Sequence, residues 1–297
     1  MSQYQKDRRN ATSSLFSSAD VSYLPWHLFL YILILLAWAP RTAVAAPAPQ
    51  EPAALAAELV LPVLTPMASN GISLHTHTVD LTLAPGDGLA LPVTMHSVYK
   101  LRNEGKEPAT ITLRVPQAGG TLTLSVDDTP LAPAAQADGT QAAEVTVQPD
   151  QPVTLVLDYA TTLMDRRLPQ VRYPAADLDQ WLGPVSMRMD IRPAPSMPPN
   201  SWLRTEPQDW AYAPPGVSPD PALEWLYDGD PPEAIIFQAI HPAVFQQIQA
   251  AEQAAAPGAV VPAFAQLGEL YAGLAQAAAA EGNAAAGERF YAQAVAA

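Results

Sequence analysis

A strict alternation of apolar and polar residues limits what this chain can fold into more than any other feature. Nearly every second residue is apolar in Val79–Leu83 and again in Val93–Leu101. Because successive side chains of a strand point to opposite faces, this period predicts strands with one buried face. Glycine, proline and aspartate separate the runs, and no helical period interrupts them, so we predict an antiparallel β-sandwich over residues 71–163. Its further strands are predicted at Ala109–Val115, Thr121–Val126, Ala143–Val147 and Val153–Thr161.

A second β-rich region is predicted over residues 164–240. Alternation continues in Val185–Arg192, and two more strands are predicted at Leu223–Tyr227 and Ala234–Ile240. Large aromatic side chains are usually buried, so we expect the tryptophans of this region to form its core. The alternative is a carbohydrate-binding platform built from three of them. The four tryptophans are Trp181, Trp202, Trp210 and Trp225, of which the last three would form the platform.

Residues 241–297 change to a helical period. Apolar residues recur three and four positions apart, which predicts amphipathic helices. We expect the first helix to begin at Pro242, the second to run from about Pro262 to Glu281, and the third to follow the break at Gly282-Asn283.

This C-terminal segment resembles a degenerate tetratricopeptide repeat. Leu267-Gly268 followed by Tyr271 matches the signature of the first repeat helix, Gly287 falls at a small-residue position and Tyr291 at an aromatic one. The distance from Tyr271 to the break is about two helical turns longer than is usual in the family. A single repeat cannot bury its own apolar face. The hairpin is therefore expected to pack on the β body or a partner, unless the functional chain is longer.

The resemblance to a repeat implies a role in protein contacts. Glu269, Tyr271 and Tyr291 are the candidate partner-contact residues, and another envelope protein is the expected partner. Residues 72–163 also resemble bacterial envelope β-sandwich domains. The segment Val98–Pro116 carries that resemblance, because a Tyr-bearing strand runs there into an Asn-Gly turn and the next strand ends at proline.

The N-terminal 45 residues are expected to direct export. No charged residue lies between Asp20 and Arg41, and Leu28–Ala39 is almost wholly apolar. A run of this kind is typical of a signal peptide, or of an anchor helix of roughly 20 residues. Lysine and arginine are concentrated before it, which orients the rest of the chain outward. Cleavage after Ala45 and retention as a membrane anchor both remain open. Residues 46–70, rich in alanine and proline, are predicted to be a spacer.

Composition excludes several functions. With 29 acidic against 15 basic residues the formal charge is −14, which disfavours nucleic-acid binding, and the absence of cysteine excludes thiol chemistry and Cys-based zinc sites. No cofactor or catalytic motif is recognised. We therefore predict a non-enzymatic binding or scaffold protein of the cell envelope. The alternatives are the carbohydrate-binding module and an exported metal-dependent hydrolase that uses His75, His77 and His96. His75 and His77 lie two positions apart on a predicted strand and are expected to share a face, and His96 lies on a neighbouring strand.

Overall fold

The computed structural model describes residues 58–68, 70–137, 139–212, 222–255 and 261–297. The predicted export segment 1–45 and most of the predicted spacer lie outside these residues. Within the described ranges, none of the helices is both long and apolar enough to span a bilayer. The prediction of a mainly β body followed by C-terminal helices is confirmed.

Sixteen strands and three helices make up the described part of the chain. The strands are β1 Leu59–Val60, β2 Thr65–Ala68, β3 Ile72–Leu83, β4 Leu91–Asn103, β5 Ala109–Val115, β6 Thr121–Val126, β7 Thr129–Leu131, β8 Ala134–Ala135, β9 Gln141–Val147, β10 Val153–Leu163, β11 Gln170–Tyr173, β12 Val185–Arg192, β13 Trp202–Glu206, β14 Ala211–Tyr212, β15 Leu223–Gly229 and β16 Ile235–Ala239. The helices are α1 Pro242–Ala254, α2 Val261–Ala280 and α3 Ala284–Ala296, and short 3₁₀ helices lie at Ala175–Gln180 and Pro199–Ser201.

The strands form one large and two small sheets. The eight-stranded sheet has the order β14-β15-β12-β3-β4-β10-β6-β7, and the four-stranded sheets have the orders β1-β11-β16-β13 and β2-β5-β9-β8. Most neighbours are antiparallel, as predicted, but β3 runs parallel to β12 and β1 runs parallel to β11. Strands from the two predicted β regions thus share one sheet. The predicted domain boundary at residue 163 therefore falls within that sheet and does not separate two domains.

One hydrophobic core joins all three sheets. The inner face of the eight-stranded sheet contributes Leu157 and Trp225, which are fully buried, and the four-stranded sheets contribute Ile111 and Phe237 to the same cluster. The alternation that predicted the strands also predicts this burial, because the apolar residues of β4 and β10 face inward.

Part of the predicted spacer belongs to the folded body. Residues 58–68 include strands β1 and β2, and Leu61, Val63 and Leu64 between them are buried. The amide of Leu64 donates to the hydroxyl of Tyr99 (3.1 Å), and its carbonyl accepts from the indole of Trp181 (3.2 Å). The spacer prediction is therefore wrong for residues 58–68. Leu61, Val63 and Leu64 are buried in the core, and this burial outweighs the effect of the proline-rich composition.

The helices form a second, smaller core against the β body. Phe245, Leu274 and Phe290 belong to it, together with Leu168 from the segment before β11. The predicted helix boundaries are confirmed. His241 caps α1 by accepting from the amide of Ala243, and Asn283 caps α3 by accepting from that of Ala286.

Candidate functional site

The three histidines proposed as metal ligands are not brought together. A β-bulge in β3 places His75 as an extra residue between Leu74 and Thr76, so His75 is exposed whereas His77 faces the core. His96 lies on the opposite, exposed face of β4, where its Nδ1 is 2.7 Å from the carboxylate of Asp158. In the part of the chain that the structure describes, no cluster of three potential ligands could hold a metal. The expectation that His75 and His77 share a face is therefore wrong, because the bulge reverses the alternation between them.

His77 instead belongs to a buried polar cluster within the core. Its Nε2 is 2.5 Å from the hydroxyl of Tyr173, and its ring packs 4.2 Å from that of Tyr99. Burial lowers the pKa of His77 to about 3 and raises the pKa of both tyrosines. A neutral histidine enclosed in this way contributes to packing and has no access to a solute.

The tryptophans pack as core residues. Trp181 and Trp225 are buried, and Trp202 packs edge-on against Trp210 and Phe237 at ring distances of 6.0 and 5.9 Å. The four indole N–H groups all donate to oxygen atoms of the chain, at Leu64, Met197, Thr205 and Pro207. The predicted core role is confirmed. These rings present no flat exposed platform to a sugar.

The three candidate partner-contact residues differ in accessibility. Tyr271 is buried, stacks on Phe290, and donates its hydroxyl to Glu252 at 2.6 Å. Glu269 is exposed on α2, and the side chain of Tyr291 on α3 is 66% exposed. The resemblance to a repeat placed Tyr291 at the aromatic position between the two helices. In the structure the buried aromatic residue of α3 is the preceding one, Phe290.

The outer face of the sheet β1-β11-β16-β13 carries a charged pocket of about 690 Å³. Alternation on β11 turns Val171 and Tyr173 inward and leaves Gln170 and Arg172 on the outer side, where Arg172 pairs with Ile236 of β16. On the other side of β16, Arg204 and Glu206 of β13 complete this surface. The remaining residues that line the pocket are Glu58, Pro207, Pro232, Glu233, Ala234 and Glu281.

Two arginines and four glutamates line this pocket among the described residues. Arg204 is well paired, since its Nη2 donates to Glu206 at 2.7 Å. This pair raises the pKa of Arg204 and lowers that of Glu206. Arg172 is poorly paired, since its Nη2 lies 3.4 Å from the carboxylate of Glu233, whose side chain is 88% exposed.

The start of the turn between α2 and α3 closes one side of the pocket. Glu281 accepts from Nε2 of Gln238 (2.6 Å), and Oε1 of the same glutamine accepts from the Asn283 side chain (2.7 Å). Gln238 is fully buried, so this amide fixes the turn on β16. Burial raises the pKa of Glu281 to about 7. The carboxyl group is therefore partly protonated near neutral pH, in contrast to an ordinary surface glutamate.

A second polar surface covers the outer face of the eight-stranded sheet, but its charged groups are paired with one another. Asp190 on β12, with a side chain only 5% exposed, accepts from Arg188 (2.9 Å) and from Arg192 (3.3 Å). Arg188 also contacts Glu224 at 3.1 Å, and Arg192 contacts Asp80 at 2.5 Å. We call these five residues the ion network. Each member has its partner within the sheet, as expected for a structural role.

The pocket was not predicted from the sequence. β11 and β13 have only four and five residues, each follows or precedes a proline within a few positions, and neither gives a long alternation. The sequence signal for these strands is the pair of short motifs Gln-Val-Arg-Tyr, in which polar and core residues alternate, and Arg-Thr-Glu, in which two opposite charges lie two positions apart.

Comparisons with known proteins inform only the fold. No protein-family model matches the chain, and no curated protein matches its sequence. A Legionella pneumophila protein whose proposed role is nutrient binding superposes with a TM-score of 0.50 and 12% identity, over 74% of this chain and 84% of that one. An M1 zinc metallopeptidase from Deinococcus radiodurans has a TM-score of 0.38 at 12% identity, over 61% of this chain and 44% of the enzyme. Yeast LTA4 hydrolase has 0.34 at 9%, over 57% and 29%. The chain spans less than half of either enzyme, and its likeness to the Legionella protein is one of fold.

Proposed function

We propose that this chain is an exported, membrane-associated envelope protein that binds a small polar ligand and does not catalyse a reaction. The observation that carries the proposal is the charged pocket on the sheet β1-β11-β16-β13. Its volume of about 690 Å³ falls within the range of small-molecule sites, roughly 300–1,000 Å³. The β-sandwich body would present the pocket, and the repeat-like hairpin would close one side of it.

The chemistry of the pocket supports binding over catalysis. None of its described lining residues is a serine, threonine, cysteine or histidine, so no hydroxyl or thiol nucleophile lines the pocket and its acid–base chemistry is limited to the glutamates. Convergent arginine and glutamate side chains are instead suited to hold complementary charges of a ligand. The proposed nutrient-binding role of the Legionella protein agrees with this interpretation, as does the predicted export segment.

Thermal melts of the full chain against a panel of solutes test the binding proposal. The panel contains amino acids, short peptides, sugars, dicarboxylates and polyamines. A ligand at 100 times its Kd should stabilise the fold by about 2.7 kcal/mol. Arg172→Gln combined with Glu58→Gln, which keeps the net charge, should abolish the stabilisation. The matched control is Arg102→Gln with Glu104→Gln, an exposed pair at the end of β4 whose removal also keeps the net charge, and this variant should keep the stabilisation. If no class of solute raises the melting temperature, the proposal is wrong.

Export is tested separately. Replacing Leu33 and Leu35 with arginine removes much of the apolar free energy of the leader, about 0.3–0.6 kcal/mol for each leucine, and adds two costly charges. The body of the variant should become inaccessible to a protease added outside the cytoplasmic membrane, whereas that of the parent chain is digested. Equal digestion of both would contradict the role of this segment.

Scaffolding of another envelope protein is the second candidate function. Tyr291 and Val295 are 66% and 72% exposed on α3, and Val261 is 80% exposed on α2. A photoreactive residue at position 291 should crosslink to one envelope protein in intact cells, whereas the same residue at the exposed Gln266 should not. Equal labelling from both positions would remove the support for a docking surface.

A further inference from the structure

The charged pocket has one arginine that its own glutamates leave incompletely satisfied. The Nε of Arg172 is buried and has no hydrogen-bond partner among the described residues. Among the described residues, its Nη2 reaches the 88% exposed carboxylate of Glu233, at 3.4 Å. A guanidinium presents a planar set of donors that matches a carboxylate with two parallel hydrogen bonds. Arg172 is thus suited to bind the carboxylate of a ligand, which would displace Glu233 at little cost.

The same pocket has an excess of acidic groups. Glu206 pairs with Arg204, which also interacts electrostatically with Glu58, whereas the hydrogen bond that Glu58 accepts among the described residues comes from the neutral amide of Gln170 at 2.6 Å. Glu281 likewise accepts from the neutral amide of Gln238, and a cation bound beside it would favour its ionised form, as the nearby positive charge of Arg166 already does. Glu281 also directly follows the last residue of α2, and the C-terminal end of a helix attracts positive charge. This side of the pocket is therefore suited to bind a cation.

These two features exclude ligands with a single kind of charge. A dicarboxylate would face four glutamates and only two arginines, of which one is already paired. A polyamine would leave the Arg172 donors unsatisfied, and a neutral sugar would desolvate both kinds of charge without compensation. A ligand that carries both charges satisfies Arg172 and the acidic groups together.

We infer that the ligand of this pocket is a zwitterion with a free carboxylate and a free ammonium group, namely an amino acid or a short peptide. The inference rests on the proposed binding function and narrows it to a ligand class. The carboxylate binds Arg172, and the ammonium group binds the acidic side formed by Glu58 and Glu281.

Calorimetric titration of the full chain with four matched probes tests the ligand class. The probes are alanyl-alanine, its C-terminal amide, its N-acetyl derivative and the doubly blocked compound. Alanyl-alanine should bind, and blocking either end should weaken binding at least ten-fold. Equal binding of the free and blocked peptides would overturn the zwitterion inference but leave the binding proposal intact. If alanyl-alanine, alanine and trialanine all fail to bind while another class of solute does, the inference is also overturned.

Variants locate the two ends of the ligand. Arg172→Met should bind the free peptide and its amide equally, because the group that distinguishes them is gone, and Arg172→Lys should restore part of the preference. Glu281→Gln should lower the preference for a free amino group over the acetylated one. The matched control is Arg114→Met, an exposed arginine on β5, which should change neither preference. If Arg172→Met and Arg172→Lys keep the full preference for the free carboxylate, Arg172 does not bind it.

Discussion

The pocket and the ion network place the same residue types on the outer faces of two sheets, with different results. In the network, Asp190 is nearly buried and two arginines bind it. In the pocket, Arg172 has one distant and exposed partner, and two glutamates are held by neutral amides. Each charged group of the ion network contacts an oppositely charged member of the network, whereas the pocket has charged groups that a ligand of opposite charge can still bind.

This difference shows that charge density alone does not identify a binding site. Whether a charged group can bind a ligand depends on its burial and on the number of its partners within the protein. A charge that is already paired gains little free energy from a solute, and an unpaired charge gains much. The comparison also predicts that substitutions in the network should affect stability and substitutions in the pocket should affect binding. The largest effects on stability are expected for substitutions in the hydrophobic core.

Leu157→Ala tests which face of the eight-stranded sheet is buried. Leu157 is fully buried on β10, so the substitution should lower the free energy of unfolding by about 2–5 kcal/mol through lost burial and a cavity. Thr154→Ala, on the outer face of the same strand, should be nearly silent. Denaturant titration measures both. Equal losses would mean that the outer face of the sheet is also packed against other residues. The comparison of the ion network with the pocket would then lose its basis.

The strands around Leu157 could be predicted because their period is long and regular. β4 and β10 have 13 and 11 residues, and their buried residues keep one phase throughout. In β3 the phase changes from Ile72 and Leu74 to Val79 and Leu81, and this change marks the bulge at His75. The signal was present in the sequence, but a bulge is recognised only when the phase of the whole strand is followed.

The pocket could not be predicted because its strands pair over long distances in the sequence. β11, β13 and β16 are short, and what aligns Arg172, Ile236 and Glu206 is their register and not a motif. The parallel pairing of β3 with β12 is equally non-local. The helices depend on local spacing and capping residues, so their boundaries were predicted correctly.

Asp190→Asn tests whether the ion network stabilises the fold without contributing to ligand binding. The substitution removes a nearly buried negative charge and leaves Arg188 and Arg192 with weaker partners. Because both arginines are partly exposed, we expect a loss of about 2–3 kcal/mol, below the range for a fully buried pair. Denaturant titration measures the loss. Affinity for a pocket ligand, measured on the folded variant, should be unchanged; a parallel loss of affinity would show that the two surfaces are coupled.

Glu281→Gln tests the charge state of the pocket. The folded protein raises the pKa of Glu281 from 4.5 to about 7, so the folded state binds the proton more tightly than the unfolded chain does. The resulting stabilisation is complete below pH 4.5 and is lost as pH rises toward 7. Relative to the glutamine variant, the parent chain should lose about 1–2 kcal/mol over this window, since solvent screening reduces the full linkage value of 1.36 kcal/mol per pKa unit. Melts at pH 4.5, 6 and 7.5 measure the difference, and parallel curves would contradict the raised pKa.

The smallest effects on stability are expected for Arg172→Met and Arg192→Met, which are also the most closely matched pair of substitutions. The two arginine side chains are equally exposed, at 33%, but among the described residues Arg192 forms ion pairs with Asp80 and Asp190, whereas Arg172 forms one, with Glu233. Methionine keeps most of the apolar stem in both variants, so the difference between them reports the charged contacts. We expect a loss of about 1–2 kcal/mol at Arg192 and less than about 0.5 kcal/mol at Arg172. Equal losses, measured by denaturant titration without ligand, would mean that Arg172 is already satisfied by the chain and has no hydrogen bonds to offer a carboxylate.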